Sequence, residues 1–112
     1  MNNFESLGLS KELLRAVESE GYTTPTPVQQ QSIPPLLDGR DVLGVAQTGT
    51  GKTAAFGLPS IQQIDLKNKN IQTIVLCPTR ELCIQISKDL ISYSKFYRGI
   101  KIIPVYGGTS IE

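Results

Sequence analysis

Residues 46–53 read Ala-Gln-Thr-Gly-Thr-Gly-Lys-Thr, a set of residue types suited to holding a chain of phosphates. A small residue, four spacers and Gly-Lys-Thr is the spacing of a phosphate-binding loop. Gly49 and Gly51 let the backbone curl tightly and approach an anion. The N–H groups from Thr48 to Thr53, with Thr50 between the two glycines, would then point into one concave nest that favours negative charge. Lys52 brings a point positive charge to the terminal phosphates, and Thr53 offers a hydroxyl oxygen to Mg²⁺, a hard cation that prefers oxygen ligands. Ala46 stands where the strict pattern has glycine, and one methyl group does not break the loop. The bland alternative is a Gly/Thr-rich turn with a solvated lysine.

A second block, Gly21-Tyr22-Thr23-Thr24-Pro25-Thr26-Pro27-Val28-Gln29, supports two readings. Thr26 and Gln29 have capping-box spacing and could simply tie off a helix. A side-chain amide also carries an acceptor and two donors, enough to pair with an adenine edge, and an aromatic ring beside it offers a stacking face.

These residues need a frame. Asp41 to Val45 before the loop is a short apolar run read as a buried strand, and Thr53 to Leu58 after it reads as a helix start. Strand, glycine loop and helix is the setting that places a phosphate on a helix N-terminus. Upstream, Ser10 predicts an N-cap with Glu12 in the first turn, Leu13, Leu14 and Val17 give an apolar face, and Gly21 marks the stop. A second helix starts near Pro27, and Pro34-Pro35 predicts two short turns instead of one helix. Pro59 predicts a bend or break near Leu58. Two further apolar runs, Thr73 to Cys77 and Ile102 to Val105, read as strands, and between them Thr79 caps a helix with Glu81 in its first turn. Strands joined by helices predict an α/β fold with a parallel sheet and right-handed crossovers.

Composition narrows the classes. With 39% hydrophobic and 19% charged residues the chain is globular, and a net charge of +1 gives no overall electrostatic pull toward nucleic acid. Histidine is absent and there are two cysteines, which excludes a four-ligand structural zinc of Cys and His and a Cys-His nucleophile pair. Residues 1–20 lack the apolar core of a signal peptide, and no run reaches membrane-spanning length, so the expected location is the cytoplasm.

Phe4, the Gly21–Gln29 block, the loop at 46–53, Pro78-Thr79-Arg80-Glu81-Leu82 and Gly107-Gly108 follow in an order and spacing that resembles the start of a DEAD-box RNA helicase. Cys83 stands where many members have Ala. The resemblance implies a partial RecA-like P-loop domain, truncated after the third strand, with residues 1–38 as the Q-motif region and 39–112 as an incomplete first RecA-like domain. It implies that Gln29 and Tyr22 read and stack on the adenine of ATP, with Thr24 near the base. It implies that Gln47, Thr48, Gly49, Thr50, Gly51, Lys52 and Thr53 cradle the phosphates and Mg²⁺, Lys52 and Thr53 also being the catalytic positions. Pro78, Thr79, Arg80, Gly107 and Gly108 would touch the RNA backbone, a contact that positions RNA without reading its sequence. A cation in the first turn of a helix is otherwise disfavoured, which makes an anionic partner at Arg80 sensible.

Residues 1–112 hold no Asp-Glu-Ala-Asp motif, no Ser-Ala-Thr motif and no second RecA-like domain. Hydrolysis needs a carboxylate to hold Mg²⁺ and a cation for the transferring phosphoryl group, so the expectation is a segment that binds ATP and RNA without hydrolysing ATP alone. Strands lacking their neighbours would also leave adhesive edges, which predicts an unstable or aggregation-prone segment. Two alternatives share the loop: a P-loop ATPase of another class, which predicts turnover without RNA stimulation, and a non-catalytic nucleotide-binding fragment, which predicts binding without hydrolysis.

Overall fold

The computed structural model describes residues 4–43 and 51–106. A 3-10 turn at Phe4–Leu7 leads into four helices, α1 (Lys11–Ser19), α2 (Pro27–Leu37), α3 (Lys52–Gln62) and α4 (Arg80–Tyr93). Their starts follow the expected caps. The Ser10 hydroxyl accepts from the Leu13 N–H at 3.3 Å, and the Thr79 hydroxyl accepts from the Leu82 N–H at 3.1 Å. Each satisfies a donor that the first helical turn would otherwise leave orphaned. After α1 the chain reverses at Gly21, whose φ of +81° lies in the left-handed region that favours glycine.

Two helix expectations are corrected. Helix α2 is continuous through Pro34 and Pro35, and α3 does not break at Pro59 but runs on to Gln62. The prolines of α2 remove the bonds that would reach the carbonyls of Gln30 and Gln31, and both residues are exposed, so water can take the partner's place. Both prolines also fall in the final turn, which closes on Asp38, whose N–H donates to Pro34 and Pro35. In α3 the Pro59 ring is buried among the core side chains, and tertiary packing outweighs the one lost hydrogen bond.

The core joins the N-terminal helices to those that follow. Leu13 and Val17 of α1, Ile33 of α2, Ala54, Leu58 and Ile61 of α3 and Tyr93 of α4 form one buried cluster with Phe4, Leu7 and Leu9. Polar side chains seal its edge: the Ser10 N–H donates to Gln62 at 2.7 Å, and the Ser10 and Tyr97 hydroxyls lie 2.5 Å apart. Helix α3 is central, packed against both α2 and α4.

The expected strands are the main departure. Among the described residues there is no strand: 41–43, 71–77 and 101–106 run as irregular backbone, and residues 44–45 of the first run lie outside the described set. The reason lies in burial. A parallel sheet forms where its strands are covered on both faces, whereas Ile74, Leu76 and Ile103 are open to solvent and the four helices pack on one another. Among the described residues no helix is long and apolar enough to cross a membrane.

Candidate nucleotide-binding site

The candidate phosphate end of the site is the N-terminus of α3. Gly51 is its N-cap with φ +87°, and no side chain caps it. Among the described residues the first N–H groups of this helix thus have no side-chain cap, and they sit at the positive end of the helix dipole. Lys52, the first helical residue, is exposed, and Thr53 follows half-buried. Gln47, Thr48, Gly49 and Thr50 lie outside the described residues.

Gln29 lies against this loop. It is 3% exposed, and its amide is used in two directions. Its Oε1 accepts from the Thr26 N–H at 2.9 Å, and its own N–H donates to the Thr26 hydroxyl at 3.4 Å, so the capping box is present. Its Nε2 also donates to the Gly51 carbonyl at 3.2 Å. A Cβ at Gly51 would fall 2.3 Å from that nitrogen and 3.0 Å from the Thr26 hydroxyl. Glycine is thus required at 51 for its left-handed φ and for space, and the Gln29–Gly51 contact is one that sequence spacing did not indicate. One N–H and one lone pair of the amide remain beyond these bonds.

Tyr22 sits in the loop after α1, 39% exposed. Its ring stacks on Phe4 with centroids 6.3 Å apart and planes at 27°. Thr24, two residues on, is exposed. Tyr93, at the end of α4, places its hydroxyl 3.2 Å from that of Tyr22. Burial, then the neighbouring Tyr22 hydroxyl, push the Tyr93 phenol above the usual tyrosine range, so it stays a neutral donor and acceptor. Tyr93 was not singled out by the sequence, because an aromatic on an apolar helix face reads as plain core.

The segment expected to meet RNA lies at the other end of α4. Pro78, Thr79 and Arg80 are exposed at its start. The Thr79 hydroxyl is engaged as the cap. The Arg80 guanidinium lies 5.4 Å from the centre of the Tyr106 ring, a cation–π distance. Tyr106 directly precedes Gly107-Gly108, which lie outside the described residues, so the contact brings the chain leading to the glycine doublet beside the Pro78–Arg80 turn. The Cys83 thiol donates to the Val105 carbonyl at 3.9 Å and reinforces this approach. Partial burial, followed by the adjacent Cys83 thiol, raises the Cys77 pKa above the ordinary thiol value. Neither cysteine is in a disulfide.

The residues present fit a magnesium-bound nucleotide. Among the described residues no group of three His, Cys, Asp or Glu could hold a metal by itself, and a hydroxyl oxygen at Thr53 beside an open helix N-terminus suits a cation carried in on phosphate oxygens.

The sequence profile of the DEAD/DEAH box helicase family matches residues 26–112. Over all 112 residues the chain is 46% identical to the DEAD-box ATP-dependent RNA helicase CshA of Geobacillus kaustophilus, spanning 24% of that protein. Its backbone matches the crystal structure of the RNA helicase Prp28 from Chaetomium thermophilum bound to ADP with a TM-score of 0.85 and 42% identity, covering 98% of this chain and 28% of that one. It matches S. cerevisiae Dbp5 bound to RNA and ADP BeF3 with a TM-score of 0.83 and 33% identity, covering 88% of this chain and 26% of that one. The chain therefore spans about a quarter of the relatives it matches, and it belongs to the DEAD/DEAH box helicase family.

Proposed function

We propose that this chain is the nucleotide-binding start of an ATP-dependent RNA helicase, and that the full-length protein couples RNA-stimulated ATP hydrolysis to local unwinding of RNA duplexes. The observation that carries the reading is the α3 N-terminus: a left-handed glycine cap with no side chain over it, a lysine at the first helical position, and a buried glutamine bonded to the loop's last carbonyl. The relatives named above support it.

In this reading Lys52 neutralises the terminal phosphates, Thr53 holds Mg²⁺ together with phosphate oxygens, and the backbone N–H groups of residues 47–53 fix the phosphate chain. ATP and its Mg²⁺ supply the phosphoryl group and the charge that the protein must match. Tyr22 stacks on adenine, Thr24 lies near its edge, and the remaining donor and acceptor of Gln29 read the base. Pro78, Thr79, Arg80 and the Gly107-Gly108 doublet contact the RNA backbone without sequence preference. The runs at 41–45, 73–77 and 102–105 become strands of a parallel RecA-like sheet in the full-length protein, residues 1–38 serving as the Q-motif region and 39–112 as part of the first RecA-like domain. The protein acts in the cytoplasm.

The test is ATP turnover by the full-length protein with and without RNA. Wild type is expected to be stimulated by RNA, and Lys52→Ala to lose at least about a hundredfold in rate. Turnover indifferent to RNA would favour a P-loop ATPase of another class, and full activity of the variant would remove Lys52 from the mechanism.

A further inference from the structure

Tyr22 has two aromatic neighbours, and the second has a feature that packing alone does not need. Phe4 supplies a stacking surface. The Tyr93 ring meets Tyr22 at 6.3 Å and 60°, and Tyr93 is 3% exposed. A phenylalanine would fill that space equally well. A tyrosine adds a hydroxyl whose desolvation is costly unless it finds a partner, and the partner it finds is the Tyr22 hydroxyl.

Tyr93 is itself anchored to the phosphate side. A Cβ at Gly57 of α3 would lie 3.8 Å from its ring and 2.6 Å from Leu90, so glycine lets α4 come down onto the helix that begins at Lys52. The end of α4 is also tied to the end of α1, just ahead of the Tyr22 loop. The Ser92 hydroxyl donates to Glu20, and the Lys95 ammonium donates to the Ser19 hydroxyl at 2.5 Å.

We infer that Tyr93 is a positioning residue for the base end of the nucleotide site, its buried hydroxyl fixing the Tyr22 ring relative to α3 so that adenine meets a preset stacking face. The inference rests on the adenine reading of Tyr22. Preorganising that ring removes the cost of ordering it when ATP binds. The effect belongs to the base and not to the phosphates, and this separates it from a general structural role.

The experiment uses the full-length protein and compares wild type with Tyr93→Phe, Tyr22→Phe, the double variant and Tyr22→Ala. It measures KM for ATP and kcat in RNA-stimulated turnover, with the inhibition constant of magnesium tripolyphosphate, which has the phosphates and no base. Tyr93→Phe is expected to raise KM for ATP about two- to tenfold, the weight of one neutral hydrogen bond, with kcat within about twofold and tripolyphosphate inhibition unchanged. Tyr22→Phe should do the same from the other side, which keeps the test available if Tyr93→Phe folds poorly. The double variant should be no worse than either single one. An unchanged KM in Tyr93→Phe, equal weakening of ATP and tripolyphosphate, or additive single effects would overturn the inference. If Tyr22→Ala raises KM while Tyr93→Phe does not, the inference alone falls. If Tyr22→Ala leaves KM untouched, the adenine reading of Tyr22 falls as well.

Discussion

The apolar runs at 71–77 and 101–106 are richer in apolar residues than the helices, yet they are the part left uncovered. Leu13, Ile33 and Leu58 are fully buried, whereas Ile71, Leu76 and Ile103 face solvent. A helix satisfies its own backbone and needs only one covered face, which a neighbouring helix supplies. A strand satisfies neither its backbone nor its side chains until other strands and helices lie beside it. The helices thus find their packing partners within this stretch of chain. In the proposed reading, the runs that would form the sheet need further strands of the full-length protein beside them.

Core truncations separate the two regions most sharply. Leu58→Ala in the full-length protein should cost about 2–5 kcal/mol, read from denaturant unfolding, while Leu76→Ala, at a side chain 89% exposed here, would cost no more than about 0.5 kcal/mol if it stayed uncovered. In the full-length protein Leu76→Ala should rise toward the cost at Leu58, because the proposed sheet would bury it. A Leu76→Ala cost that stays near zero there would break the comparison.

Two glycines sharpen it at the site itself. Gly51 and Gly21 share a left-handed φ, but a Cβ at Gly51 meets Gln29 and one at Gly21 meets nothing within 4 Å. Alanine at either position should cost about 1–2 kcal/mol of backbone strain. Gly51→Ala should cost about a further 1–3 kcal/mol from overpacking, and it should weaken ATP binding where Gly21→Ala does not. Thermal melts and nucleotide titrations check both. Thr26→Ala, which removes half of the capping box, should lower stability by about 1 kcal/mol, measurable by denaturant titration.

What the sequence disclosed follows the same division. The caps at Ser10, Thr26 and Thr79 and the stop at Gly21 were legible because each rests on residues within one turn of the chain. The continuity of α2 through Pro34-Pro35 and of α3 through Pro59 was not legible, since it depends on solvent access to freed carbonyls in one case and on tertiary packing in the other. The strands were read from local β-branched composition, which reports a preference and not the presence of a partner. At the site, the Thr26–Gln29 spacing announced the capping box, but the reach of Gln29 to Gly51, of Tyr93 to Tyr22 and of Arg80 to Tyr106 joins residues distant in the chain. Such contacts leave no periodic trace.

The most direct measurement of the central claim is calorimetric titration of the full-length protein with ATP in the presence and absence of Mg²⁺. The account predicts saturable, magnesium-dependent binding of one ATP that is lost in Lys52→Ala. Binding that is absent from the wild type, or equally tight in the Lys52→Ala variant, would contradict it.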